Sequence, residues 1–178
     1  MGVGRAFIGT RGNRLKFAAQ AQMFLNAGMA VDAYLYLYWS EPGAAQAVNC
    51  LNISGDVPVG AVWLDVEFDE QNPWPGMAGV NSVLYAAYER MGAIADGLYT
   101  SRSMWAVSGL GQRYAGKRLW DANPRSDNRL PPLPFEPYGG WTERAVVQYT
   151  SSVTVCGLNV DMNADARSVV EADAQGED

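Results

Sequence analysis

Residues 31–40 read VDAYLYLYWS. The period is two: Tyr34, Tyr36 and Tyr38 share one face of a strand, and Ala33, Leu35, Leu37 and Trp39 share the other. Neither face is polar enough to stand in water. A strand covered on both sides belongs in a parallel sheet flanked by helices. The alternation predicts that the tyrosines point into a barrel while Leu35 and Leu37 pack under helices.

Residues 61–70, AVWLDVEFDE, form the end of a second such strand. The stretch begins apolar, then sets Asp65, Glu67 and Asp69 two apart, alternating with Val66 and Phe68. Residues i and i+2 of a strand share a face, with Cα atoms roughly 6–7 Å apart. In a parallel barrel the active site lies at the C-terminal strand ends, which is where these acids fall. Two close carboxylates repel as anions, so one of them tends to keep its proton. A protonated acid beside an ionised partner is the equipment for glycosidic bond cleavage. Two other readings of the same residues stay open. One is a solvent-facing row of acids opposite Leu64, Val66 and Phe68. The other is a carboxylate pair for magnesium or calcium.

Elsewhere strand and helix alternate. Val3 to Ile8 reads as a strand, and residues 13–29 as a helix with Leu15, Ala18, Ala19, Met23 and Phe24 at helical spacing and Gly28 as its stop. Residues 41–53 suggest a short helix with Pro42 in its first turn. Residues 77–93 predict a helix with Val80, Leu84, Ala87, Tyr88 and Met91 on one face. DGLYTS (96–101) and KRLWDAN (117–123) read as strands on either side of a short helix in SMWAVSGL (103–110). The stretch 124–141 is a proline- and glycine-rich loop of a length that is often functional. RAVVQYTS (144–151) and CGLNVDMN (156–163) close the domain as strands. The expected organisation is one α/β domain over 1–163, followed by an acidic, flexible tail over 164–178.

The bulk properties narrow the chemistry. The 178 residues suit a single domain with a substantial core. A net charge of −6 argues against nucleic-acid binding through a basic face. The lack of histidine removes Ser-His-Asp and Cys-His mechanisms and most zinc sites. Cys50 and Cys156 allow one bridge at most, and two small buried thiols are the expected reading. The start shows no basic region followed by a long apolar run, and no stretch reaches the length of a membrane span.

The order VDAYLYLYW, VWLDVE, GLYTSRSMW, RLWDANP, VVQYTSS, CGLNVDMN resembles the glycoside hydrolase family 25 lysozymes, which cleave between N-acetylmuramic acid and N-acetylglucosamine in peptidoglycan. The resemblance covers about Val3 to Asn163. It implies a modified β/α (TIM-like) barrel, incomplete because the family's opening strand with its Asp-x-Ser motif has no counterpart before Val3. It implies that Glu67 is the acid–base residue, with Asp65 and Asp161 as partner acids. It places Tyr34, Tyr36, Tyr99, Trp120 and Gln148 in substrate binding, leaving Tyr38 and Leu119 to the core. It implies no cofactor and no metal, a peptidoglycan or related N-acetylated glycan as partner, a secreted or phage-associated setting, and a retaining route that can use the substrate's own N-acetyl group. A catalytically degenerate glycan-binding barrel is the alternative. Asp121 stands where such strands commonly carry an apolar residue, and nothing in the sequence accounts for it.

Overall fold

The computed structural model of the protein describes residues 5–10, 13–125, 134–155 and 157–165. In chain order the elements are β1 (Arg5–Gly9), α1 (Arg14–Asn26), β2 (Ala30–Tyr36), α2 (Gly43–Ser54), β3 (Val59–Asp65) and α3 (Met77–Met91). A 3-10 turn (Gly92–Ile94) leads into β4 (Ala95–Thr100), α4 (Arg102–Ser108), β5 (Arg118–Ala122) and β6 (Val146–Gln148). Three short strands finish the described chain: β7 (Val153–Val155), β8 (Leu158–Val160) and β9 (Asn163–Asp165).

The main sheet has seven strands in the order β1-β2-β3-β4-β5-β6-β9. The pairings from β1 to β6 are parallel, and β9 joins β6 antiparallel. Strand order follows sequence order through β6, with α1 to α4 as crossovers between the first five strands, as the alternating pattern implied. The sheet is curled. The rings of Phe7 on β1 and Trp120 on β5 lie 4.1 Å apart. In a flat sheet those strands would stand about 19 Å apart, four spacings of 4.7–4.9 Å. The result is a half-barrel, open between β1 and β9 among the described residues.

Two apolar layers form on the two faces of the curl. Inside, Trp63, Trp120 and Val146 are buried, with Phe7, Tyr34 and Tyr99 packed against them. Outside, Leu35, Leu37, Trp39, Val62, Leu64 and Leu119 meet the helices, including Val80, Leu84, Ala87, Tyr88 and Met91 of α3. The expected face of α3 is thus the buried one. β2 divides as its alternation demands, with Tyr34 inward and Leu35 and Leu37 in the helix layer. Tyr38 lies beyond the end of β2 and is half-buried, packed on the Tyr36 ring, rather than in the core. The α2–α3 contact is backbone-close at Gly43, where a Cβ would fall 1.9 Å from the Val83 carbonyl oxygen.

Several expectations are corrected. In α1 the buried residues are Phe17 and Ala21, while Leu15 and Met23 are 82% and 71% exposed. Only the row Phe17, Ala21, Leu25 meets the core, and the remaining apolar side chains of the helix lie outside it. CGLNVDMN is not one strand. Its middle, β8 (Leu158–Val160), folds back on β7 as a hairpin, and its last residue begins β9. Ala164 and Asp165, placed by the sequence in the tail, belong to β9, and the rest of the tail lies outside the described residues. Cys50 is a buried free thiol; Cys156, Val3 and residues 126–133 of the long loop also lie outside them.

Asp121 now has a physical account. The alternation that turns Trp120 inward turns Asp121 toward the outer layer, where it is buried. Tyr138 donates its hydroxyl to Asp121 Oδ1 at 2.9 Å, and Arg144 donates Nη1 to Oδ2 at 2.9 Å. A buried charge is tolerated when it is paired and hydrogen-bonded in this way. The pair ties the end of the long loop to β5.

Candidate active site

The mouth of the half-barrel is built from residues at the C-terminal ends of the parallel strands. Asp65 is the last residue of β3, and its side chain is buried. The chain then leaves the strand under restraint from both neighbours. On one side Val66 donates its N–H to the Tyr99 carbonyl at 2.9 Å and accepts from Thr100 Oγ1 at 3.0 Å. On the other, Leu37 donates its N–H to the Asp65 carbonyl at 3.2 Å, and the Trp39 indole donates to the Glu67 carbonyl at 2.8 Å.

Past Glu67 the loop closes on itself. Asp69 Oδ1 accepts the N–H groups of Gln71 and Asn72 at 2.7 and 2.8 Å, an Asx turn. The buried Asn72 amide then bridges two points of the chain after β2. It donates to the Leu37 carbonyl at 2.7 Å and accepts the Trp39 N–H at 2.9 Å. Glu67 is half-buried within this frame.

Asp161 arrives from the other side, on the connection between β8 and β9. Its Oδ2 accepts from Gln148 Nε2 at 2.8 Å, and Gln148 Oε1 accepts the Tyr99 hydroxyl at 2.7 Å. A hydrogen-bonded chain thus runs from β4 through the end of β6 to Asp161. The backbone beside Asp161 is held as well: Met162 donates its N–H to Thr150 Oγ1 at 2.9 Å and accepts the Tyr149 N–H at 3.1 Å.

The electrostatics bind these groups into one site. Burial, and then the charge of Glu67, pushes the Asp65 carboxyl well above the usual carboxylate range. Its Oδ1 has no hydrogen-bond partner among the described residues. The Glu67 carboxyl is raised by burial, then by Asp69 and Asp161. Asp161 is raised by burial, against the opposing hydrogen bond from Gln148. The Tyr34 phenol is raised by burial and then by Asp65, Asp161 and Glu67; that of Tyr99 is raised by burial and then by Glu67, Asp65, Asp161 and Tyr34. At this mouth a carboxyl can keep a proton into the range where an ordinary one has lost it, beside a second acid.

Asp65, Glu67, Asp161, Tyr34, Tyr99 and Gln148 therefore come together. Trp120 lies beneath them as a floor, 4% exposed, with its indole N–H donated to Asn163 Oδ1 at 2.8 Å and its ring 4.8 Å from that of Tyr99. Tyr36 stands at the edge, its hydroxyl 2.9 Å from Asp69 Oδ2. Among the described residues no three acid or thiol side chains are grouped to hold a metal ion. Sequence reasoning read Asp69 only as one of a row of acids and Trp39 only as part of an apolar strand face, and it gave no role to Asn72. The Asp-x-x-Asn spacing after Phe68 is a turn signal, but its partners lie after β2, some 33 residues away.

No protein-family model matches the chain. A probable GH family 25 lysozyme of Dictyostelium discoideum is 31% identical over 110 residues, which is 58% of this chain and 48% of that protein. A second such lysozyme from the same organism is 26% identical over 78% of this chain and 30% of its own length. The chain thus spans half or less of these two relatives. Among solved structures, a muramidase from Trichobolus zukalii superposes with a TM-score of 0.68 at 18% identity, over 97% of this chain and 86% of that one. A family 25 glycosyl hydrolase from Bacillus anthracis gives 0.67 at 18% identity, over 90% and 75%. The chain thus resembles family 25 lysozymes in sequence over part of their length, and it shares the fold of the solved muramidase and family 25 structures.

Proposed function

We propose that the protein is an N-acetylmuramidase that cuts the glycan strands of peptidoglycan. The observation that carries this reading is the buried Asp65 carboxyl, with Oδ1 unpartnered among the described residues, beside Glu67 and at the same mouth as Asp161. A buried acceptor left without a donor is costly unless a ligand supplies one. The acetamido N–H of an N-acetylated sugar is such a donor.

In this reading Glu67 gives its proton to the glycosidic oxygen as the bond to the anomeric carbon breaks. The carbonyl oxygen of the substrate's own N-acetyl group attacks that carbon, while Asp65 or Asp161 accepts its N–H and steadies the positive charge that develops. Water then opens the cyclic intermediate, and Glu67 takes the proton back. This is the substrate-assisted variant of the two-carboxylate scheme. Tyr34, Tyr99 and Gln148 supply hydroxyl and amide groups around the sugar, Tyr36 stands at the rim, and Trp120 forms the apolar floor.

The test is digestion of purified peptidoglycan, followed by borohydride reduction of the released fragments. Reduced N-acetylmuramic acid ends are expected. Reduced N-acetylglucosamine ends would assign the other bond. Retention on insoluble peptidoglycan with no release would turn the reading to a glycan-binding barrel.

A further inference from the structure

Gln148 lies in β6 between β5 and β9, is 8% exposed, and has both ends of its amide engaged. Oε1 accepts the Tyr99 hydroxyl at 2.7 Å, and Nε2 donates to Asp161 Oδ2 at 2.8 Å. We propose that Gln148 is a positioning residue for Asp161: clamped from behind by Tyr99, its amide holds one oxygen of an exposed carboxylate in place and leaves the other for the substrate. The kinetic side of this proposal rests on the muramidase reading; the hold on Asp161 does not.

Asp161 needs such a hold because of where it stands. It is exposed, on the short connection between β8 and β9, two strands of three residues each. A side chain in that setting gives up its rotamer freedom only to a fixed partner. The bonds of Met162 to Thr150 and Tyr149 fix the neighbouring backbone, not the carboxylate. Gln148 is a fixed partner. Its strand pairs on both sides, with Asn163 opposite it on β9, and its own carbonyl accepts the Asn123 N–H at 3.0 Å. The acid then dictates the order of donors. A carboxylate only accepts, so the amide turns Nε2 toward Asp161 and Oε1 toward Tyr99, and the Tyr99 hydroxyl must donate. The reversed amide would set Oε1 against Oδ2. Each bond enforces the next, and the last, to a charged oxygen, is the strong kind. It favours the ionised carboxylate, against the effect of burial. The titratable groups that feel Asp161 are Glu67 beyond β3, Tyr34 of β2 and Tyr99 of β4. From β6 and β9 come the neutral amides of Gln148 and Asn163.

Gln148→Met keeps the bulk of the side chain and removes both bonds. The Asp161 carboxyl carbon is followed by NMR against pH in the wild type and in Gln148→Met, assigned by its disappearance in Asp161→Asn. The expected result is an Asp161 midpoint at higher pH in Gln148→Met, because a bond to the charged form is lost. On soluble peptidoglycan fragments kcat should fall about 10- to 100-fold, the effect of losing one hydrogen bond to a charged group, with KM held within about twofold. A merely structural role would lower the melting temperature and leave the midpoint where it is. An unmoved midpoint in folded Gln148→Met overturns the proposal, whatever the activity. A moved midpoint with unchanged kcat overturns it as well, since Asp161 then works without being held. If Gln148→Met does not fold, Gln148→Asn decides. It keeps an amide in the strand but draws it back by one methylene, so the midpoint must again rise and kcat fall, and an unmoved midpoint overturns the proposal. A wild type that releases nothing removes the muramidase reading, and the midpoint then decides alone whether Gln148 holds Asp161.

Discussion

Asp65 and Glu67 are two residues apart, yet their settings differ: the first is buried at a strand end, the second half-open in a braced loop. Glu67→Gln keeps the shape and removes the proton. Muropeptide release should fall about 100- to 10,000-fold, the usual contribution of general acid–base catalysis, with the melting temperature little changed. Asp65→Asn should also lose activity, but it should gain stability. A carboxyl whose midpoint is raised by folding favours the native state below its unfolded midpoint. That contribution is lost as pH rises through the folded midpoint. At neutral pH the buried Asp65 therefore weighs against the fold, and the neutral amide does not. Thermal melts should show Asp65→Asn above the wild type at pH 7 and level with it near pH 3. A wild type more stable than the variant at pH 7 would show that Asp65 is ionised and well solvated in the native state. This pair was legible in the sequence because Asp-x-Glu on an apolar strand is a local pattern. The brace was not, because Asn72 and Trp39 matter only through residues brought together by β2 and β3.

At the scale of elements, what could be read depended on whether the apolar residues chose a single face. In α3 they did: Val80, Leu84, Ala87, Tyr88 and Met91 form one row, and that row is buried. In α1, Leu15, Phe17, Ala18, Ala21, Met23, Phe24 and Leu25 spread around the helix, and only contact with the neighbouring elements picks Phe17 and Ala21. The three-residue strands β7, β8 and β9 are too short to show a period, so the hairpin and the antiparallel return escaped sequence reading. That return is also why Asp161 could be assigned only through the family resemblance. Where elements meet closely, small changes should be felt. A Cβ at Gly43 would overlap the Val83 carbonyl, so Gly43→Ala must push α2 and α3 apart. Such overpacking typically costs about 1–3 kcal/mol, which denaturant titration can read as a lower midpoint with unchanged slope. An unchanged midpoint would mean that the two helices can slide without cost.

For the molecule as a whole, the Asp121–Arg144 pair joins β5 to the end of the long loop, and Tyr138 adds a third point. Asp121→Ala removes the carboxylate to which the buried Arg144 guanidinium donates. Breaking a buried pair from one side costs about 3–5 kcal/mol, measurable in the same titrations. Exchanging both partners for apolar residues, Asp121→Leu with Arg144→Met, should cost less than the single change, because the buried guanidinium is removed together with the carboxylate it donates to. If the double variant is the weaker, the pair itself contributes net stability. The fold class was legible because strands covered on both faces alternate with helices, and this pattern survives in the half-barrel. The opening between β1 and β9 among the described residues agrees with the incomplete barrel that the family resemblance implied. One last feature reaches beyond stability. Phe7, Trp63 and Trp120 fill the inside of the curl, with Trp63 wholly buried. Among the described residues these rings close the bottom of the cleft. A long polymer cannot be threaded through it like a cord through a bead; it can only be laid across the rim and lifted off again. A protein shaped this way needs no free chain end to begin, so if it cleaves glycan strands as proposed, the cuts should fall at internal positions of a strand, in random order.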